Sequence, residues 1–85
     1  MTRTVAEILT DVHAARKECE RYEAEYEMLS EDFFRLYLAG QVEDDPELQM
    51  WAGFCKAARR CQREYEATVM ASGLPLRRRV VAVTA

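Results

Sequence analysis

The chain has 85 residues, 49% of them hydrophobic and 32% charged, and 12 Lys and Arg against 15 Asp and Glu give a formal net charge of −3. That length holds one small domain without a large enclosed core. The hydrophobic fraction excludes a disordered polyelectrolyte, and the acidic balance gives no general affinity for a nucleic acid backbone.

The first helix is expected over about residues 4–39. Thr4 followed three residues later by Glu7 is a capping-box signature. Behind it, Val5, Ile8, Val12, Ala15, Cys19, Tyr22, Tyr26, Leu29, Phe33 and Leu36 recur at an unbroken 3-4 spacing, the seam of a coiled coil. Ser30 with Glu31 and Asp32 also reads as a helix start. The continuous seam argues against a large break there. Gly40 marks the end of the helix, residues 40–45 form the turn, and Asp45 caps a second helix with Pro46 at its first position.

The second helix is expected over about residues 46–72, with a shorter seam at Leu48, Trp51, Cys55, Ala58, Gln62, Tyr65 and Val69. Gly73 and Pro75 stop it. Residues 74–85 read as a flexible tail carrying Arg77, Arg78 and Arg79 before the β-prone Val80, Val81, Ala82 and Val83. The expected architecture is all-α, a two-helix antiparallel coiled-coil hairpin over residues 1–73 plus that tail, completed by dimerisation or a partner.

Folding the hairpin in antiparallel register stacks Leu36 on Leu48, Phe33 on Trp51, Leu29 on Cys55, Tyr26 on Ala58, Tyr22 on Gln62 and Cys19 on Tyr65. The same register places Glu23 beside Arg59 and Arg16 beside Glu66. Val5, Ile8, Leu9 and Val12 are then left with no opposing helix, an overhang of roughly 15 Å. Phe34, Tyr37, Leu38, Met50 and Phe54 widen the apolar face near the turn, and pairing into a four-helix bundle would cover them.

Chemistry-bearing constellations are sparse. His13 has no Cys, His or second seam carboxylate at helical ligand spacing, and Cys55 and Cys61 point about 240° apart on one helix. No Ser-His-Asp set, Glu-x-x-His pair or glycine-rich phosphate loop occurs. Neither metal, cofactor nor enzymatic activity is expected. The acids from Glu18 to Asp32 read as a solvated face, and Lys56, Arg59, Arg60 and Arg63 as its salt-bridging complement. No segment approaches the roughly 20 apolar residues of a membrane span, and acids interrupt the only apolar stretch near the N-terminus. Three cysteines without metal spacing suit a reducing compartment, so a cytoplasmic location is the default.

Tyr26, Met28, Ser30, Glu31, Asp32, Phe33, Phe34, Gly40, Asp44, Asp45, Trp51 and Ala52 follow a pattern of Tyr-Gly-Met-Ser-Ser-Glu-Glu-Phe, an aromatic, a Gly, an acidic turn and Trp-Ala. In this, residues 22–52 resemble small helical antitoxin-like partners of bacterial and archaeal toxins. Glu27 stands where that pattern has Gly, a departure that favours one long first helix. The resemblance implies a helical protein that binds and restrains a toxin encoded beside it, with nucleic acid bound only as part of such a complex, and it carries no catalytic residues across.

The functional expectation is therefore a non-enzymatic interaction module with a protein partner, a cognate toxin by the resemblance. Its partner-binding residues are expected to be Val5, Ile8, Leu9 and Val12 on the overhang, Phe34, Tyr37 and Phe54 near the turn, and Arg77, Arg78, Arg79, Val80, Val81 and Val83 in the tail, the arginines by contacts to an acidic rim or a phosphate and the valines by strand addition. The alternative is a self-contained homodimeric helical bundle serving as a structural or adaptor piece.

Overall fold

A computed structural model of the chain describes residues 3–72, and the expected tail, with Arg77 to Arg79 and Val80 to Val83, lies outside the described residues. The described chain is all-α, with three helices rather than two: α1 (Val5–Tyr26), α2 (Ser30–Leu38) and α3 (Pro46–Ser72). Thr4 opens α1 with a capping box, its hydroxyl accepting from the Glu7 N–H while the Glu7 carboxylate accepts from the Thr4 N–H. Asp45 opens α3, its carboxylate accepting from the Glu47 N–H at 2.7 Å.

The expected long first helix is corrected at Glu27, which adopts the left-handed conformation with φ 54° and ψ 46°. The Met28 N–H reaches back to the Glu23 carbonyl at 3.3 Å, closing a Schellman-type turn. Leu29 is extended, and the Glu23 carboxylate accepts the N–H of Ser30 at 2.8 Å, so a side chain of α1 caps α2. Gly40, with φ 72°, ends α2 in the same way: Gln41 donates to the Leu36 carbonyl and Gly40 to that of Tyr37.

The break changes the register of α1 against α3. Phe33 does stack on Trp51, with ring centroids 3.9 Å apart, so α2 keeps the expected level. Tyr22, however, lies against Trp51 rather than Gln62, and its hydroxyl donates to Glu47. Arg16 donates to Gln62 instead of pairing with Glu66, and Glu23 caps α2 instead of meeting Arg59. The displacement from Gln62 to Trp51 is about eleven residues, roughly 16 Å along the helix.

Sliding α1 this far abolishes the overhang. Ile8 and Val12 are 1% and 3% exposed, Val5 and Leu9 are half-buried, and α1 packs along α3. Arg3 fastens this end, its guanidinium gripping both oxygens of Glu64 at 2.6 and 3.1 Å and also pairing with Asp11. The expectation that Val5, Ile8, Leu9 and Val12 lack an intrachain partner is thus corrected. Burying Ile8 and Val12 contributes about 1.5–3 kcal/mol each, which outweighs the roughly 1–2 kcal/mol cost of one left-handed non-glycine residue.

Where the three helices meet, Cys19, Tyr22, Phe33, Phe34, Trp51, Ala52 and Cys55 form the core, with Tyr37, Val42, Leu48 and Phe54 packed against it. A straight helix presents one stripe to its neighbour. Turning at Glu27 allows the adjacent Phe33 and Phe34 both to be buried, at 3% and 5% exposure.

Candidate functional site

Residues 22–51 hold both the aromatic packing around Trp51 and most of the exposed large apolar side chains among the described residues. Trp51 is the centre of the first. Its ring is parallel to Phe33 within 1°, and Tyr22 and Tyr26 stack on it at 5.6 and 5.4 Å. Its indole N–H donates to the Ser30 hydroxyl at 2.8 Å, so the first residue of α2 is tied to α3 through the core. Partial burial, and then the nearby Glu25 carboxylate, push the Tyr26 phenol above its ordinary pKa.

Around this core stand Tyr26, Met28, Leu29, Leu36, Leu38 and Met50, and of the large apolar side chains that are exposed among the described residues only Met70 lies elsewhere. Leu29 is 63% exposed, Leu38 65% and Met50 54%. Scattered exposed apolar residues are ordinary, but their gathering on α2, on the turn before it and on the first turns of α3 makes this region the candidate site. The helix period explains it: α2 has only nine residues, and with Phe33 and Phe34 turned inward, Leu36 and Leu38 fall on the two flanks of the buried stripe and stay exposed.

Beside this surface a groove of about 550 Å³ runs between α1, the start of α2 and α3. Cys19, Phe34, Cys55 and Ala58 are among its lining, and Arg16, Arg59, Glu20, Glu23 and Glu31 supply charge of both signs. The Arg59 guanidinium lies 4.5 Å from the centroid of Phe34, and Lys56 sits 5.4 Å from that of Tyr37. Part of the basic patch on α3 therefore covers aromatic rings rather than pairing with the acidic face of α1. Burial pushes the Cys55 thiol up to about 12 and raises that of Cys19, so both are protonated thiols at neutral pH. Among the described residues no three His, Cys, Asp or Glu side chains gather as a metal site, and no helix is long and apolar enough to cross a membrane.

The residues expected to bind a partner are distributed unevenly over this geometry. Ile8 and Val12 are buried along α3, and Val5 and Leu9 are half-buried beside them, far from the exposed set. Phe34 is buried as the wall of the groove. Tyr37 and Phe54 are half-buried, Tyr37 donating to Gln49 at 3.2 Å and Phe54 tilted against Tyr22 at 6.2 Å. Arg77, Arg78, Arg79, Val80, Val81 and Val83 lie outside the described residues.

Tyr26, Leu29 and Leu36 are exposed although the seam placed them inside, and Leu38 and Met50 carry the outward surface that the candidate set omits. Leu38 and Met50 were legible as surplus apolar surface near the turn, and the signal for the exposure of Leu36 is the helix start at Ser30. Once α2 begins there, Leu36 and Leu38 cannot both share the inward face with Phe33 and Phe34. Comparison of the chain with family models, curated proteins and solved structures gives no match in any of the three.

Proposed function

We propose that the chain is a non-enzymatic protein-interaction module, an antitoxin-like partner that engages and restrains a cognate protein through the exposed flanks of α2 and the residues next to it in the preceding turn and in α3. The observation that carries this reading is the concentration of exposed apolar side chains at Tyr26, Met28, Leu29, Leu36, Leu38 and Met50, next to a core already filled within the chain. The left-handed turn at Glu27 adds to it, because it falls where the antitoxin-like pattern has glycine, the residue suited to that conformation.

The test is co-expression with the product of the adjacent reading frame. That product alone should arrest growth, this chain should restore it, and the pair should co-purify. Leu38→Glu combined with Met50→Glu should abolish both rescue and co-purification while leaving helicity intact. An adjacent product that is harmless, or rescue indifferent to the double substitution, overturns the proposal. Self-association through the same apolar face is the rival reading, and light scattering on the purified chain decides it: a tight dimer broken by the same two substitutions favours a homodimeric bundle.

A further inference from the structure

Cys19 on α1 and Cys55 on α3 have no part in the proposed interaction face, yet they are placed together. Both belong to the same three-helix core, at 7% and 4% exposure, on the facing helices α1 and α3, and each thiol is among the groups that shift the pKa of the other. Both also line the groove of about 550 Å³, which is the route by which a reagent reaches them. Cys55 makes a further contact, its Sγ donating to the Ser30 carbonyl at 3.9 Å, the first residue of α2. The third cysteine, Cys61, is half-buried and sits six residues along α3, about 240° round the helix from Cys55.

We propose that Cys19 and Cys55 are a reversible modification site that forms a disulfide by exchange with a small zwitterionic peptide disulfide of the glutathione class. The groove lies within the range of about 300–1,000 Å³ typical of small-molecule sites, and Arg16 and Arg59 stand beside Glu20, Glu23 and Glu31, charges of both signs that suit such a reagent. Cys19, the less deeply buried of the two, attacks one sulfur of the reagent as its thiolate, a minor species at neutral pH because burial raises its pKa, so the exchange is slow. The reagent's S–S bond breaks and one reagent thiol leaves. Cys55 then loses its proton and attacks the Cys19 sulfur of the mixed disulfide, expelling the second reagent thiol. Two protein thiols are oxidised, one reagent disulfide is reduced to two thiols, and the protons end on those thiols. The crosslink pins α1 to α3 beneath the groove and removes the Cys55 donor from the Ser30 carbonyl, so the oxidation state is felt at the seat of α2.

The experiment uses the full chain, incubated under native conditions with oxidised glutathione, quenched by alkylation and digested with trypsin. Cleavage after Lys and Arg puts each cysteine on its own peptide, residues 18–21, 36–56 and 61–63. The expected product joins 18–21 to 36–56, with loss of about two mass units for the two hydrogens removed, while 61–63 stays unlinked. In concentrated urea the same treatment should scatter the links over all three pairings. Cys61→Ser should leave the native yield unchanged. A native crosslink that includes Cys61, the scattered distribution under native conditions, or recovery of 18–21 and 36–56 both fully alkylated would overturn the proposal.

Discussion

Glu27→Gly tests the break in the first helical segment by the sign of its effect. Glu27 sits at φ 54°, where an L side chain costs about 1–2 kcal/mol against the following carbonyl. Glycine removes that cost but gives the unfolded chain extra freedom, about 0.4–1 kcal/mol in the opposite direction. The net expectation is a gain of about 0.5–1 kcal/mol, or roughly 2–8 °C in Tm for a chain of this size. In a continuous helix over residues 4–39 the same substitution would instead cost about 0.5–1 kcal/mol, because glycine is among the poorest residues in a helix interior. Helicity followed at 222 nm through thermal and urea unfolding reads the sign directly. Glu27→Val sharpens the result, since a β-branched residue is disfavoured in the left-handed region and should lower Tm. A Glu27→Gly chain that melts earlier than the parent refutes the break and, with it, the slid register of α1.

Ile8→Ala examines that register independently: buried against α3, the side chain should cost about 2–5 kcal/mol on truncation, whereas an exposed overhang would cost almost nothing, and urea midpoints separate the two. Ser30→Ala should cost about 1–3 kcal/mol, because the indole N–H of the buried Trp51 loses its acceptor; a midpoint unchanged from the parent would mean that this bond does not form. The Arg3 guanidinium holds the Glu64 carboxyl below its usual 4.5. The unfolded chain therefore binds the proton first, so the stabilisation is full above that value and is lost as pH falls through the lowered folded pKa. Glu64→Gln should flatten that part of the stability profile between neutral and acid pH, and an identical profile in the variant would count against the clamp.

What was legible in the sequence was local. The capping box at Thr4, the cap at Asp45 and the left-handed stop at Gly40 are each set by residues within a few positions of one another. Phe33 on Trp51 was legible as well, because α2 and α3 are joined by a short turn that fixes their level. The register of α1 was not, since two signals conflicted between Tyr26 and Ser30. The seam ran through without a fault, while Ser30, Glu31 and Asp32 announced a new helix. A heptad records which face is apolar but carries no information on whether the helix stays straight. Glu27 gave no help, because its left-handed turn is imposed by tertiary burial and not by its own preference.

The candidate surface moved for the same reason. In a straight first helix the unpaired apolar residues would lie at the free N-terminal end, at Val5 to Val12, and Leu29 and Leu36 would be enclosed. Turning at Glu27 brings α1 back along α3, so Ile8 and Val12 are covered and Arg3 closes that end on Glu64. The apolar surplus does not vanish, because the sequence has more large apolar side chains than one three-helix core can enclose. It is transferred toward α2, a helix too short to bury four large side chains on one face, where Leu29 and Leu36 join Leu38 and the neighbouring Met50 of α3 among the exposed residues. The residue that sets where the chain turns therefore also sets where the exposed apolar side chains lie. Substitutions at Glu27 that straighten the segment should re-expose Ile8 and cover Leu36 in the same step, a reciprocal change that hydrogen exchange on the amides of α1 and α2 would detect.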